Sequence, residues 1–116
     1  MVTPALRELL QCSDLVGECA GPDARTGSAE HGVCGDLVQL SVRCAAGQLL
    51  EVRWRAQGCP ATLATAALAA RTWTGAPIAG AEAALLTAIH AHGGLAMHER
   101  HAAALVLRAL AAAVGN

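Results

Sequence analysis

From Asp36 onward the chain alternates apolar and polar residues with a period of two. Val38, Leu40 and Val42 interleave with Gln39, Ser41 and Arg43, and after Ala45-Ala46-Gly47 the residues Leu50, Val52 and Trp54 interleave with Glu51, Arg53 and Arg55. Such alternation predicts an antiparallel hairpin with one buried and one polar face. Facing residues must share a face, so even positions oppose even positions. A three-residue loop, Ala45 to Gly47, meets that condition and puts Gly47 where the loop needs a left-handed residue. In this register Val42 opposes Leu50, Val38 opposes Trp54 and Cys34 opposes Gly58, which delivers Cys59 beside Cys34. Cys44 falls at the turn end, about 30 Å away along the strand.

Elsewhere the period changes to that of a helix. Residues 3–12 predict a short helix started by Thr3-Pro4, with Leu6, Leu9 and Leu10 on one side. Residues 13–31, rich in Gly, Pro, Asp and Ser, read as an irregular arm with room for an additional edge strand. Pro60 suits the first position of a helix running from Ala61 to Thr74, stopped by Gly75 and Pro77. Cys59 then stands at that helix's N-terminus, where the positive end of the dipole favours thiolate. A further helix is expected over 79–90. After the breaker His90-Ala91-His92-Gly93-Gly94, a last helix is expected over about 98–114, with Ala102, Leu105, Val106 and Leu110 as its core stripe. The fold class is α+β: a small antiparallel sheet packed against C-terminal helices, one domain over 1–116 with 1–31 as N-terminal helix and arm.

Composition narrows the function. The 116 residues are 54% apolar but contain no Phe or Tyr, so the core must come from Leu, Val, Trp54 and Trp73, with alanines allowing close approach. The net charge is −1, without runs, and all basic residues are arginine, which leaves no electrostatic footprint for nucleic acid or an anionic membrane. No apolar run approaches a membrane span and no signal-peptide pattern is present. Five cysteines without a disulfide framework fit reduced, cytoplasmic thiols.

The candidate chemistry is a constellation of ligands. Cys34 and Cys59 meet by hairpin geometry, Asp36 lies on the same strand face as Cys34, and His98 opens the last helix. Thiolate, imidazole and carboxylate are zinc ligands, and an iron–sulfur cluster takes thiolates with an occasional histidine. Two cysteines alone would read as small buried hydrophobes. Gly35 and Gly58 beside them favour the site, because glycine leaves room near the backbone. His101 shares a helix face with His98, although a solvated first-turn residue is the plainer reading. His90 and His92 read as loop residues and Glu82 as surface. Cys12 and Cys19 flank the arm and offer a spare thiol.

Val33-Cys34-Gly35-Asp36 resembles the Ala-Cys-Gly-Asp signature of IscU/NifU-type (SufU-like) iron–sulfur cluster assembly scaffolds. Gly58-Cys59, followed by Leu63 and Ala64, is similar to that family's second cysteine and the helix behind it. Met97-His98 through Ala103, Leu107 and Arg108 resembles its last motif, and Gly17 fits the end of a Pro-Arg-Asn-x-Gly segment. The resemblance implies a scaffold, not an enzyme, that receives sulfur from a cysteine desulfurase, builds a transient [2Fe–2S] cluster and passes it to recipient apo iron–sulfur proteins. It implies Cys34, Asp36, Cys59 and His98 around the cluster or a Zn2+ ion. The family's third cysteine is replaced by Glu99, whose hard oxygen suits zinc or ferrous iron. At a helix N-terminus His98 is expected neutral and Glu99 ionised, so both are ligand-competent. The family's Pro-Val-Lys chaperone segment is here Gly94-Leu95-Ala96, which argues against that partner. A homodimer is left open. The alternative is a degenerate homologue serving as a zinc-stabilised binding or regulatory module, and a third reading is a metal-free domain with inert thiols.

Overall fold

The computed structural model describes residues 2–11, 15–32 and 35–115; Cys12 and Cys34, and with Cys34 its expected place beside Cys59, lie outside the described residues. Thr3 caps the first helix, α1 (Pro4–Glu8), its hydroxyl accepting the Leu6 N–H, and a 3-10 turn continues it over Leu9–Gln11. Leu6 and Leu9 are buried as the pattern requires, whereas Leu10 turns outward.

The arm does carry an edge strand. β1 (Arg25–Glu30), β2 (Leu37–Ala45) and β3 (Gln48–Gln57) form an antiparallel sheet in that order. Leu15 to Gly17 occupy the other edge, where the Leu15 carbonyl accepts from Trp54 and the Gly17 N–H donates to the Trp54 carbonyl. Between these contacts the arm crosses the polar face, with Cys19 held on Ser41.

The hairpin register departs from expectation by two residues. Its turn is the two-residue pair Ala46-Gly47, with φ of 52° and 78°, so Ala45 faces Gln48. A two-residue turn would set even positions against odd ones. A bulge restores the parity: Cys44 pairs with Leu49 and Arg43 with Glu51, leaving Leu50 as the extra residue. Leu49 is therefore fully buried and Leu50 exposed, reversing the roles read from the alternation. Beyond the bulge Val42 faces Val52 and Leu40 faces Trp54. The ladder reaches Leu37 and Gln57, which brings Asp36, rather than Cys34, abreast of Gly58.

Two helices cover the apolar face and a third packs on them. α2 (Pro60–Trp73) is lined with buried alanines, and its last residue, Trp73, is fully buried with its indole N–H donating to the Ala81 carbonyl. α3 (Ala81–Ala91) follows a left-handed Gly80. A 3-10 turn, Met97–Glu99, then precedes α4 (His101–Val114), so the last helix begins three residues later than its sequence pattern suggests. The α4 stripe Ala102, Leu105, Val106 and Leu110 is buried. Gly27 lets α4 sit directly on β1: a Cβ there would lie 2.2 Å from the Ala113 nitrogen. No helix among the described residues is long and apolar enough to cross a membrane.

Candidate metal centre

At the open end of the hairpin, Asp36 is 3% exposed and faces the N-terminus of α2. Its carboxylate fits because Gly58 has no side chain: a Cβ there would lie 2.2 Å from Oδ1. Gly58 also takes φ +133°, a conformation L side chains rarely adopt. The turn into α2 then presents the Cys59 N–H to Asp36 Oδ1 at 3.2 Å. Three further groups converge on Oδ2. The Thr62 hydroxyl donates at 2.6 Å, the Cys59 thiol donates at 3.2 Å, and His101 Nε2 stands at 3.2 Å. Cys59 Sγ and His101 Nε2 are 3.9 Å apart.

The imidazole orientation follows from its other nitrogen. His101 Nδ1 lies 3.1 Å from the His98 carbonyl, which turns Nε2 towards the site. Burial alone would raise the Asp36 pKa. Hydrogen bonds from Thr62, Cys59 and His101, with the Cys59 backbone N–H, outweigh it and lower the value from 3.8 to about 2. The carboxylate is thus held ionised inside the protein.

The donors fit a metal ion. Bonds of about 2.0–2.3 Å at tetrahedral angles separate donor atoms by roughly 3.3–3.7 Å. The three separations here, 3.2, 3.2 and 3.9 Å, bracket that range, and the three ligand atoms lie within 4.8 Å of one another. Thr62 would hold the carboxylate from behind, as groups around metal ligands do. A cleft of about 540 Å³ opens onto these residues, walled by Val2, Leu10, Pro60 and Ala61 and edged by Arg7, His98 and Glu99.

The structure brings together two of the residues expected from sequence, Asp36 and Cys59, and adds His101 in the place expected for His98. His98 is exposed at the cleft edge and contributes its backbone carbonyl to His101. Glu99 is buried at 5% exposure, but its Oε1 accepts the Ala96 N–H at 3.1 Å and so caps the 3-10 turn. Burial raises its pKa, and the Ala96 bond with nearby positive charge outweighs that and lowers it. Cys19 does not supply a spare thiol: it is buried under the arm on the opposite sheet face, its Sγ 3.3 Å from the Ser41 carbonyl. Cys44 lies at the turn end, and His92 bonds the Ala88 carbonyl through Nδ1. Thr62 went unread in the sequence, although its spacing of three from a helix-capping cysteine puts both side chains on one end of α2.

Comparison with known proteins agrees with this architecture. The family model for the NifU-like N-terminal domain matches residues 13–116. A nitrogen-fixing NifU-like protein (N-terminal) from Brucella abortus superposes with a TM-score of 0.72 at 17% identity, covering 96% of this chain and 90% of its own. A putative iron–sulfur cluster assembly scaffold protein for the SUF system from Fervidobacterium islandicum gives 0.75 at 14% identity, covering 96% and 94%. No curated protein matches in sequence. With the model spanning nearly the whole chain, from the arm to the end of the last helix, this protein belongs to the NifU-like N-terminal domain family.

Proposed function

We propose that the chain is an iron–sulfur cluster assembly scaffold, with iron and sulfide as its cargo. Asp36, Cys59 and His101 hold the metal, and Cys34, two residues before Asp36 in the sequence, is the second thiol of the site. A cysteine desulfurase supplies the sulfur, a [2Fe–2S] cluster is built, and recipient apo proteins take it; the reduced thiols this needs fit a cytoplasmic setting. The observation that carries this reading is the convergence of Cys59 Sγ and His101 Nε2 on one carboxylate oxygen, Asp36 Oδ2, in a chain of this family.

The chemistry of the donors supports a labile site. In the metal-free protein the Cys59 thiol donates to Asp36, so loading a metal displaces that proton and affinity rises with pH. A carboxylate is a harder ligand than thiolate and releases iron more readily, which suits cargo that must leave. The cleft beside the site gives access from solvent on the His101 side, where the side chain is 21% exposed against 4% for Asp36.

Anaerobic reconstitution with ferrous iron, cysteine and a cysteine desulfurase tests the proposal. Sulfur-to-iron charge-transfer absorption is expected in wild type and lost in Cys59→Ser and Cys34→Ala. A wild type that stays colourless while retaining zinc would support the second reading, a zinc-stabilised binding module. The mixed nitrogen, oxygen and sulfur set at Asp36, Cys59 and His101 favours that reading as the alternative, because zinc accepts all three donor types.

A further inference from the structure

We propose that Thr62 is a positioning residue that makes Asp36 bind metal through a single oxygen, Oδ2. The inference rests on the metal-binding reading above and concerns how that site grips its cargo. A carboxylate has two oxygens with about four lone-pair directions between them. Oδ1 accepts the Cys59 N–H at 3.2 Å, which engages the oxygen that bidentate binding would also need. Oδ2 accepts the Thr62 hydroxyl at 2.6 Å, the shortest contact in the cluster. The direction left on Oδ2 is the one shared by Cys59 Sγ and His101 Nε2, each 3.2 Å away.

Thr62 uses its hydroxyl differently from its neighbours. A helical threonine commonly turns its hydroxyl back to the carbonyl one turn earlier. Thr65 and Thr74 do so on Ala61 and Ala70, each at 2.7 Å. Thr62 instead sends its hydroxyl out of α2 to a residue 26 positions earlier in the chain. It is fully buried, so solvent does not compete for that bond. Its N–H donates to the Cys59 carbonyl at 3.0 Å, closing a tight turn that also sets the hydroxyl 3.4 Å from Cys59 Sγ. A branched side chain has few rotamers, so one residue holds two ligand atoms in place. With Asp36 limited to one oxygen, the donors of the proposed site, Cys34 included, number four, which is what tetrahedral zinc takes.

Cobalt(II) titrated anaerobically into the metal-free protein tests this. Wild type should show the strong d–d bands of a four-coordinate ion together with thiolate-to-cobalt charge transfer. Thr62→Val keeps the branched shape and removes the hydroxyl. It should bind cobalt at least about tenfold more weakly, as loss of a partner behind a metal ligand does. It should also lose d–d intensity as the released carboxylate adds its second oxygen. Charge-transfer intensity per bound ion should match wild type, and Thr62→Ser should restore both affinity and d–d bands. In an Asp36→Ala background, Thr62→Val should cost no further affinity. Equal affinity and spectra in Thr62→Val and wild type overturn the inference. So does an undiminished loss in the Asp36→Ala background, which would make Thr62 act through the fold of α2. Zinc-edge X-ray absorption on wild type needs no variant to fold: one carboxylate oxygen on the ion supports the inference, and a bidentate carboxylate contradicts it. A wild type that binds no cobalt overturns the metal reading itself, and the inference with it.

Discussion

Asp36 and Gly58 make a pair in which one residue's missing side chain is the other's space. Gly58→Ala would place a methyl 2.2 Å from the carboxylate oxygen, in a backbone conformation alanine resists. Metal affinity should fall by about tenfold or more, in line with displaced ligands, with a smaller loss of stability; isothermal titration with zinc against urea unfolding separates the two. Asp36 also sets an acid limit on the metal-free protein. Its folded pKa of about 2 lies below the 3.8 of an ordinary aspartate, so the stabilisation is complete only above about pH 5. It is lost as pH falls from about 5 towards 2, and amounts to roughly 2 kcal/mol. Asp36→Asn should flatten that limb of the stability–pH curve. The sequence pointed to Asp36 and Cys59 because strand parity and a Pro-started helix are local signals. It pointed to His98 over His101 because the helix start was placed three residues early. Glu99 caps a 3-10 turn there, turning His98 outward and leaving His101 to open α4 towards the site.

The hairpin shows what periodicity does and does not carry. Alternation identified both strands and the buried face of β2, since Val38, Leu40 and Val42 are fully buried. Parity was satisfied by a two-residue turn plus a bulge at Leu50, where a three-residue loop satisfies it equally well, and composition does not separate the two. That ambiguity moved the register by two and decided which residue faces Gly58. The arm carried too little alternation to reveal β1: Gly27 occupies its centre because α4 needs the space. Gly27→Ala would drive a methyl into the α4 backbone at Ala109 and Ala113, forcing apart two elements that share the core. A destabilisation of about 1–3 kcal/mol or more is expected, as for other overpacked sites. Urea unfolding would read it as a lower midpoint with unchanged slope; a change below 0.5 kcal/mol would contradict direct seating of α4 on β1.

Across the whole molecule, the proposed ligands come from three parts of the chain: Asp36 just before β2, Cys59 at the entry to α2 and His101 at the entry to α4. A metal held there ties the sheet's open end to both helices, so it stabilises the folded chain by mass action. The apolar cleft beside it is open to solvent, as the proposed loading and release of cargo requires. Metal content per chain, measured after anaerobic purification of wild type, His101→Ala and His98→Ala, decides whether His101 is a ligand. Close to one zinc or iron is expected in wild type and His98→Ala, with a large loss in His101→Ala. Loss in His98→Ala with full retention in His101→Ala would contradict it.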